Sequence, residues 1–371
     1  MNDLRENYFT MQRNLFPMVE EELGEITAKM KEFLLGIELM KPSRFIKGAL
    51  CWSGQGRPMA NREHLFRAFY LKTIYSFPTT KVLIDNLETN SKLRLLCGWE
   101  HRGEVPSEAT FSRAFGEFAA QKLLCVAHEA VIRENYDKRL VGHASTDSTA
   151  IIGREKACRK NTPKAKLKKK RGRKSKAELE AMKAQQTEEI RTRRLALQGN
   201  RSLEENLADL PTGCDWGGKR NSKGVPEYWT GFKFHLTFGD GGVPIAAILT
   251  AASVHDSQVA IPMMQMAAGR GVTVLYDLQD SAYDAPEIKT FSKSLGHVPI
   301  IDPNKRRGEE AELSPAEKIR FHERSTAERG NSELKDNYGA RNIRVKGHGK
   351  VLCHLMFGIL ALTVKTLFNM L

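Results

Sequence analysis

The chain of 371 residues has few cysteines and none in a paired pattern. Cys51, Cys97, Cys125, Cys158, Cys214 and Cys353 form no CxxC pair and no other metal-like spacing. They read as reduced thiols of a cytosolic protein, not as metal ligands or a disulfide framework. No secretory leader is expected either, because the first residues, MNDLRENYFTMQRNLF, contain no apolar core. Long apolar runs are scarce. The longest lies in the C-terminal segment VLCHLMFGILALTVKTLFNML and covers only Leu355–Val364, with His354 and Lys365 on its flanks. A bilayer span needs about 20 apolar residues, so this segment is expected as a buried helix, and no membrane partner is expected. With 41% apolar and 27% charged residues, wholesale disorder and fibrous repeats are excluded, and the length suits two or three domains.

Positive charge is what the sequence has in excess, and it is concentrated. Lys and Arg number 58 against 44 Asp and Glu, a formal +14. Residues 159–176 (RKNTPKAKLKKKRGRKSK) hold eleven cations and no acid, which leaves +3 for the rest of the chain. A polyanion is the expected partner of that segment. Within it Lys170, Arg171, Gly172, Arg173 and Lys174 resemble an AT-hook core, whose Arg-Gly-Arg lies in the narrow A·T minor groove; Lys174 stands where the usual proline would be. A disordered polycation that holds any phosphate backbone is the competing reading. A second, smaller excess covers residues 318–350, with nine Lys or Arg against four Asp or Glu.

Residues 20–137 carry apolar side chains at three- and four-residue spacing, in Leu23–Leu39, Leu65–Tyr75 and Val82–Leu87, and read as helices throughout. Ser107 is placed to cap a helix whose Phe111, Phe115 and Phe118 form an apolar stripe. Residues 1–137 are therefore expected as an all-α N-terminal domain, either a helix-turn-helix variant that touches DNA or a plain helical cap on a larger domain.

From about residue 139 the pattern changes. Leu140–Ile152 is short and β-branched, a strand. Tyr228–Phe238 and Val243–Thr250 flank Gly239–Gly242 as a hairpin. A helix over about 255–268, a strand at Val272–Leu278, a helix at Ala285–Leu295 and a strand at Val298–Ile301 follow. The fold class is α/β. A hairpin followed by parallel crossovers makes a mixed sheet flanked by helices, in RNase H-like order, over 138–153 and 227–371. Residues 154–226 read as a basic, partly disordered insertion, with a polar helix at 177–197 and loop over 199–226.

Three acids stand where such a sheet would gather them: Asp147 in the first strand, Asp280 after Val272–Leu278, and Glu328 in a late helix. Converging carboxylates repel each other and require cations, and two Mg²⁺ ions about 3.5–4 Å apart are the usual answer. Asp277 competes for the second place, but three residues earlier it faces the other side of the strand. Asp284, ahead of Pro286 and Glu287, reads as the N-cap of the next helix. At 100° per residue, Phe321, Arg324, Glu328 and Lys335 fall within an arc of about 60°. One helix face thus carries a ring, a guanidinium, a carboxylate and an ammonium; a solvated ion-paired face is the plainer reading. Ser314-Pro315-Ala316-Glu317 supplies a capping box ahead of it, and Gly330 offers room for another chain or DNA to come close.

These residues resemble the DDE transposases of bacterial insertion sequences, in the branch with a Tyr-x2-Arg-x3-Glu-x6-Lys signature around the third acid. Phe321, Arg324, Glu328 and Lys335 reproduce its spacing, with Phe in place of Tyr. Asp280-Ser281-Ala282-Tyr283-Asp284 is similar to the segment around the second acid, and Thr146-Asp147-Ser148-Thr149 to the first. GFKFHLTFGDGGVPIAAILTAASVHDSQ is similar to the hairpin between them and ends in His255 and Asp256, which could lie near the site or begin a helix. The similarity spans roughly residues 60–370.

The resemblance implies an enzyme that cuts DNA at the element's ends and joins the freed 3′-OH to target DNA. Asp147, Asp280 and Glu328 would hold two Mg²⁺ ions, with Mn²⁺ as a substitute, and Arg324 and Lys335 would contact phosphates near the cut. It also implies double-stranded DNA as partner, a homodimer or higher synaptic assembly, and a place in the bacterial cytoplasm beside the nucleoid. An RNase H-like nuclease without strand transfer, and a catalytically decayed sequence-specific DNA-binding protein, stay open beside it.

Deleting residues 159–176 is expected to weaken binding to duplex DNA and to flatten its salt dependence, by up to about 0.9 log units per log salt for each phosphate that the arm neutralises. Fluorescence anisotropy over a salt series measures the slope. An unchanged slope would show that the arm does not touch DNA.

Overall fold

The structure, a computed structural model, describes residues 2–50, 55, 58–136, 139–158, 175–176, 179, 192–220, 224–304 and 312–371. Lys170, Arg171, Arg173 and Lys174, and most of the helix expected over 177–197, lie outside the described residues.

The N-terminal third is helical, as its periodicity requires, and helices also occupy Asn2–Thr10 and Phe16–Leu23, ahead of that pattern. The others run over Ala28–Met40, Ser43–Ala49, Arg62–Ile74, Thr80–Thr89, Ser91–Cys97, Glu108–Ala120 and Leu123–Tyr136. Short polar side chains start several of them. Thr27, Asn61, Thr79 and Asn90 each accept a hydrogen bond from a first-turn backbone N–H. Ser107 stands at the expected cap position, although its hydroxyl bonds no first-turn N–H. Phe111, Phe115 and Phe118 are buried around Phe69, with ring centroids 5.6, 5.0 and 6.3 Å from it.

Among the described residues six strands form one mixed sheet: β1 (Leu140–Ile152), β2 (Asp215–Arg220), β3 (Pro226–Phe238), β4 (Pro244–Ala251), β5 (Thr273–Gln279) and β6 (Val298–Ile301). β1 is central. On one side β3 runs antiparallel to it, with Asp147 opposite Leu236, and β4 closes the hairpin. On the other side β5 runs parallel to β1, and β6 parallel to β5. This is the mixed α/β sheet with flanking helices, in RNase H-like order, that the strand pattern predicts.

Residues 199–226 are not all loop. They contain a helix at Leu203–Asp209 and all of β2, which pairs antiparallel with the first half of β3. Backbone pairing holds β2 in place. Its inward positions are Asp215 and Gly217 while Trp216 is exposed, so the strand shows no apolar alternation for sequence reading to detect.

The C-terminal helix, His348–Asn369, is long and apolar enough to cross a membrane by length and composition, yet 83% of its most apolar stretch is buried inside this fold. It packs against Arg62–Ile74, Glu108–Ala120, Leu123–Tyr136 and β4. Phe357 brings its ring within 5.3 Å of Phe66 and 6.0 Å of Phe69. One buried cluster therefore joins the N-terminal helices, this helix, and Phe232, Phe234, Leu236 and Phe238 of β3.

Two glycines permit close approaches. Gly231, with φ +152°, sits where β1, β2 and β3 meet, and a Cβ there would lie 2.1 Å from the Ile151 carbonyl oxygen. Gly330 lies in the helix Ser325–Asn337, and a Cβ on it would meet the Phe238 ring at 2.3 Å. The close approach at Gly330 is thus to β3, which corrects the expectation of another chain or DNA. Gly330→Ala is expected to lower stability by about 1–3 kcal/mol through overpacking against Phe238, despite the better helix propensity of alanine. Urea unfolding measures this, and an unchanged midpoint would mean that the ring moves aside freely.

Candidate active site

β1 and β5 set the site. Their parallel register places Ala144 beside Asp277 and Ser145 beside Leu278. β5 ends at Gln279. Two residues further along each chain the same offset carries Asp280 alongside Asp147, where β1 no longer has β5 as its neighbour. Asp280 then caps the single 3-10 turn Ser281–Tyr283, accepting the Ala282 N–H at 2.9 Å. Asp277 lies on the opposite face. It is buried, accepts the Ser292 hydroxyl at 2.5 Å and pairs with His297 Nδ1 at 2.9 Å. These bonds tie β5 to the helix Pro286–Ser294 and to the turn before β6.

The helix Ser325–Asn337 packs across β1 and β3 on the Asp147 face. Asn331 donates to Asp147 Oδ2 at 3.0 Å, and the Ser145 hydroxyl donates to the Glu323 carbonyl at 3.2 Å. Glu328, one turn before Asn331, accepts from Arg324 Nη2 at 2.6 Å with 57% of its side chain exposed. Among the described residues no group of three acids, histidines or cysteines is arranged to hold a metal ion. The structure brings Asp147 and Asp280 together under the charge of Arg324, and leaves Glu328 on Arg324 beside them.

The Arg324 guanidinium also lies 5.7 Å from the Phe321 ring centroid. The uniform helix face expected from Phe321 to Lys335 is interrupted by a 3-10 turn at His322–Arg324, which winds more tightly than 100° per residue. Lys335 is half-buried. Burial, with Lys219 and Arg341, holds its pKa below the usual lysine value, while Asp147 acts in the other direction.

Burial pushes the Asp147 carboxyl up to about 6; Asp280 and Asp256 add to the shift, and the Ser148 backbone and Arg324 oppose it. Burial also raises Asp280, with Asp256 adding and the Ala282 N–H and Arg324 opposing. Asp256 is the acid that sequence reading left undecided. It stands at the N-cap position of the helix Ser257–Gly269, but its side chain caps nothing. It lies 3.1 Å from Lys233 Nζ and 3.6 Å from His235 Nδ1 instead. Burial would raise its carboxyl, yet His235 and Lys233 outweigh burial and hold it below the usual range. His255 is exposed and bonds Ser257 at 2.8 Å, so it belongs to the helix start.

Sequence reading missed two more groups. Asn331 is three residues after Glu328 and four before Lys335, so it shares their helix face. Its uncharged side chain gives no signal of a site in the sequence. Tyr283 is fully buried near Asp256, Asp147 and Asp280, and its hydroxyl has no hydrogen-bond partner among the described residues. Asp284 is not the N-cap; Ala285 occupies that place because Pro286 takes the first helical position. Asp284 instead pairs with Lys289 at 2.7 Å and accepts the Asn304 N–H at 3.0 Å. The donors at Asp147 and Asp280 are carboxylate oxygens short of positive charge, beside an orphaned hydroxyl. They fit a hard divalent cation.

Two family models match the chain. Residues 208–364 match the Transposase DDE domain, a span that holds Asp280, Arg324, Glu328 and Lys335 but not Asp147. Residues 26–117 match the Transposase domain (DUF772), which covers much of the N-terminal helical region. No curated protein and no solved structure matches the chain.

Asp147→Asn keeps an acceptor for Asn331 and removes the buried charge. A carboxyl at about 6 in the fold, against an ordinary 3.8, disfavours folding once ionised. That cost is absent below about pH 4, grows between about pH 4 and 6, and is complete above. The variant is expected to exceed the parent in stability at neutral pH by on the order of 2–3 kcal/mol, with the gain vanishing toward acid. Urea midpoints across pH measure it; equal midpoints at neutral pH would show that the charge is already compensated.

Proposed function

Since the chain belongs to the DDE transposases of bacterial insertion sequences, we propose that it cuts DNA at its element's ends and joins the freed 3′-OH to target DNA, with Asp147, Asp280 and Glu328 as catalytic acids. The observation that carries this reading is the register that sets Asp147 beside Asp280 on buried ground where both carboxyls are raised. Enzymes of this family act on DNA and generally use divalent metals.

Asp147, Asp280 and Glu328 would hold the metal. When bound, two Mg²⁺ ions, with Mn²⁺ as a substitute, supply Lewis-acid neutralisation at the attacking and leaving oxygens. Asn331 holds the Asp147 carboxylate in one orientation through its bond to Oδ2. Arg324 has a second task. A DNA phosphate competes with Glu328 for its planar, bidentate donor face, so substrate binding frees the third acid. Lys335 acts as a point charge toward the backbone. The arm with Lys170, Arg171, Arg173 and Lys174 adds general affinity for double-stranded DNA. Paired ends are held by a homodimer or a larger synaptic assembly.

Asp147→Ala, Asp280→Ala and Glu328→Ala are each expected to lower Mg²⁺-dependent cleavage by about a hundredfold or more, while binding to duplex DNA in EDTA is retained. Asp277→Ala is expected to act on stability instead, because it strands His297 without its buried partner. Cleavage and joining assays on DNA bearing the element's ends measure the first, and thermal unfolding the second. Full activity in Asp280→Ala overturns the assignment; cleavage without joining in the parent turns it toward a hydrolytic nuclease.

A further inference from the structure

A second charged cavity lies apart from the acids. It measures about 460 Å³ and is walled by the helices Arg62–Ile74, Thr80–Thr89 and Glu108–Ala120, the chain after Ile152, and the start of the C-terminal helix. Lys72, Arg154, Arg344, Lys346 and Lys350 line it against a single acid, Glu108. None of the five cations has a carboxylate partner within 4 Å among the described residues. Arg154 is instead fixed by donating to the Arg344 carbonyl at 3.2 Å. Thr79 and Thr80 also line the cavity, so the positive end of the helix Thr80–Thr89 faces it. Like charges gathered this way repel one another until an anion enters.

The cavity connects with the site already described. A smaller neighbouring cavity shares Lys72, Thr73, Pro78 and His354 with it and is lined by Lys335 as well, together with Asp336, whose charge is taken up by Arg341. Lys335 is within electrostatic reach of Asp147. A track of positive charge therefore leads from the acids through Lys335 and Lys72 into the cavity. Arg154 stands seven residues beyond Asp147, at most about 23 Å at the rise of a strand, or up to about seven base pairs of duplex.

We propose that this cavity is a second phosphate site, which grips a backbone phosphate of duplex DNA up to about seven base pairs from the cut. The proposal rests on the reading that the acids act on DNA. Five cations without a carboxylate partner among the described residues, and a helix N-terminus, are the chemistry of an oxyanion receptor, and DNA running along the positive track brings such an oxyanion to it.

Arg344, Lys346 and Lys350 are exposed, so their side chains can be removed without opening the core. The double variant R344A/K346A, and Lys350→Ala separately, are compared with the parent for binding to a duplex of about 30 base pairs in EDTA over a salt series. The double variant is expected to lose about one to two units of the log–log salt slope, and Lys350→Ala up to about one. Both are expected to keep the Mg²⁺-induced rise in melting temperature that reads the Asp147–Asp280 site. On end-bearing DNA, ethylation of one phosphate within about seven base pairs of the cut is expected to impair the parent and to leave the double variant indifferent. Unchanged slopes in both variants overturn the proposal. So does a melting-temperature rise with inorganic phosphate that the double variant lacks and duplex DNA does not compete away, since the cavity would then take the free anion. If the transposase reading fails instead, cleavage and joining are missing in the parent while the reductions in slope remain.

Discussion

β1 and β5 lie more than a hundred residues apart in the chain, yet they pair side by side with Ser145 against Leu278, and much else in this protein follows from that register. It carries Asp280 off the end of β5 to the level of Asp147. It leaves the edge of β1 open at that point, where Tyr283 and Asp256 come within electrostatic reach. The helix that bears Arg324, Glu328 and Asn331 can settle on the same face because Gly330 presents no side chain to Phe238. A shift of one residue would turn Asp147 to the other face and undo the arrangement.

The two aspartates near the end of β5 show how the same chemical group is put to opposite uses. Asp277 is buried and fully engaged by Ser292 and His297. Its negative charge is spent on packing. Asp147 and Asp280 are also largely buried, but their neighbours include further acids, and Arg324 is shared with Glu328. Burial without full compensation costs stability, and it persists at sites kept ready for a cation or a substrate. The basic cavity has the same character with the sign reversed. Among the described residues its cations have no carboxylate partner, whereas Arg62 on a neighbouring helix pairs with Glu117.

Periodicity carried most of the fold. The three-and-four spacing marked the N-terminal helices, β1 and β6 fall on the short segments read as strands, and the hairpin lies where its glycine turn predicted it. Alternation also separated Asp277 from Asp280, because three residues along a strand reverse the face. Each miss has its own physical cause. β2 is held by backbone bonds to β3 and buries no apolar face of its own, so composition read it as loop. Asp284 looked like a cap until Pro286 displaced the helix start by one residue. The helix face expected around Glu328 requires a uniform winding that the turn at His322–Arg324 does not keep.

Sequence by itself determined most of the element types, the excess of positive charge and which acids are candidates, because these depend on local spacing and on residue chemistry. Tertiary structure alone decided which groups meet. It joined Asp256 to Lys233 and His235, placed Asn331 on Asp147, held Glu328 on Arg324, and gathered five cations from distant segments around one cavity. Such meetings arise from strand register and from helices packed across a sheet. Both join residues far apart in the chain, and no local period records them.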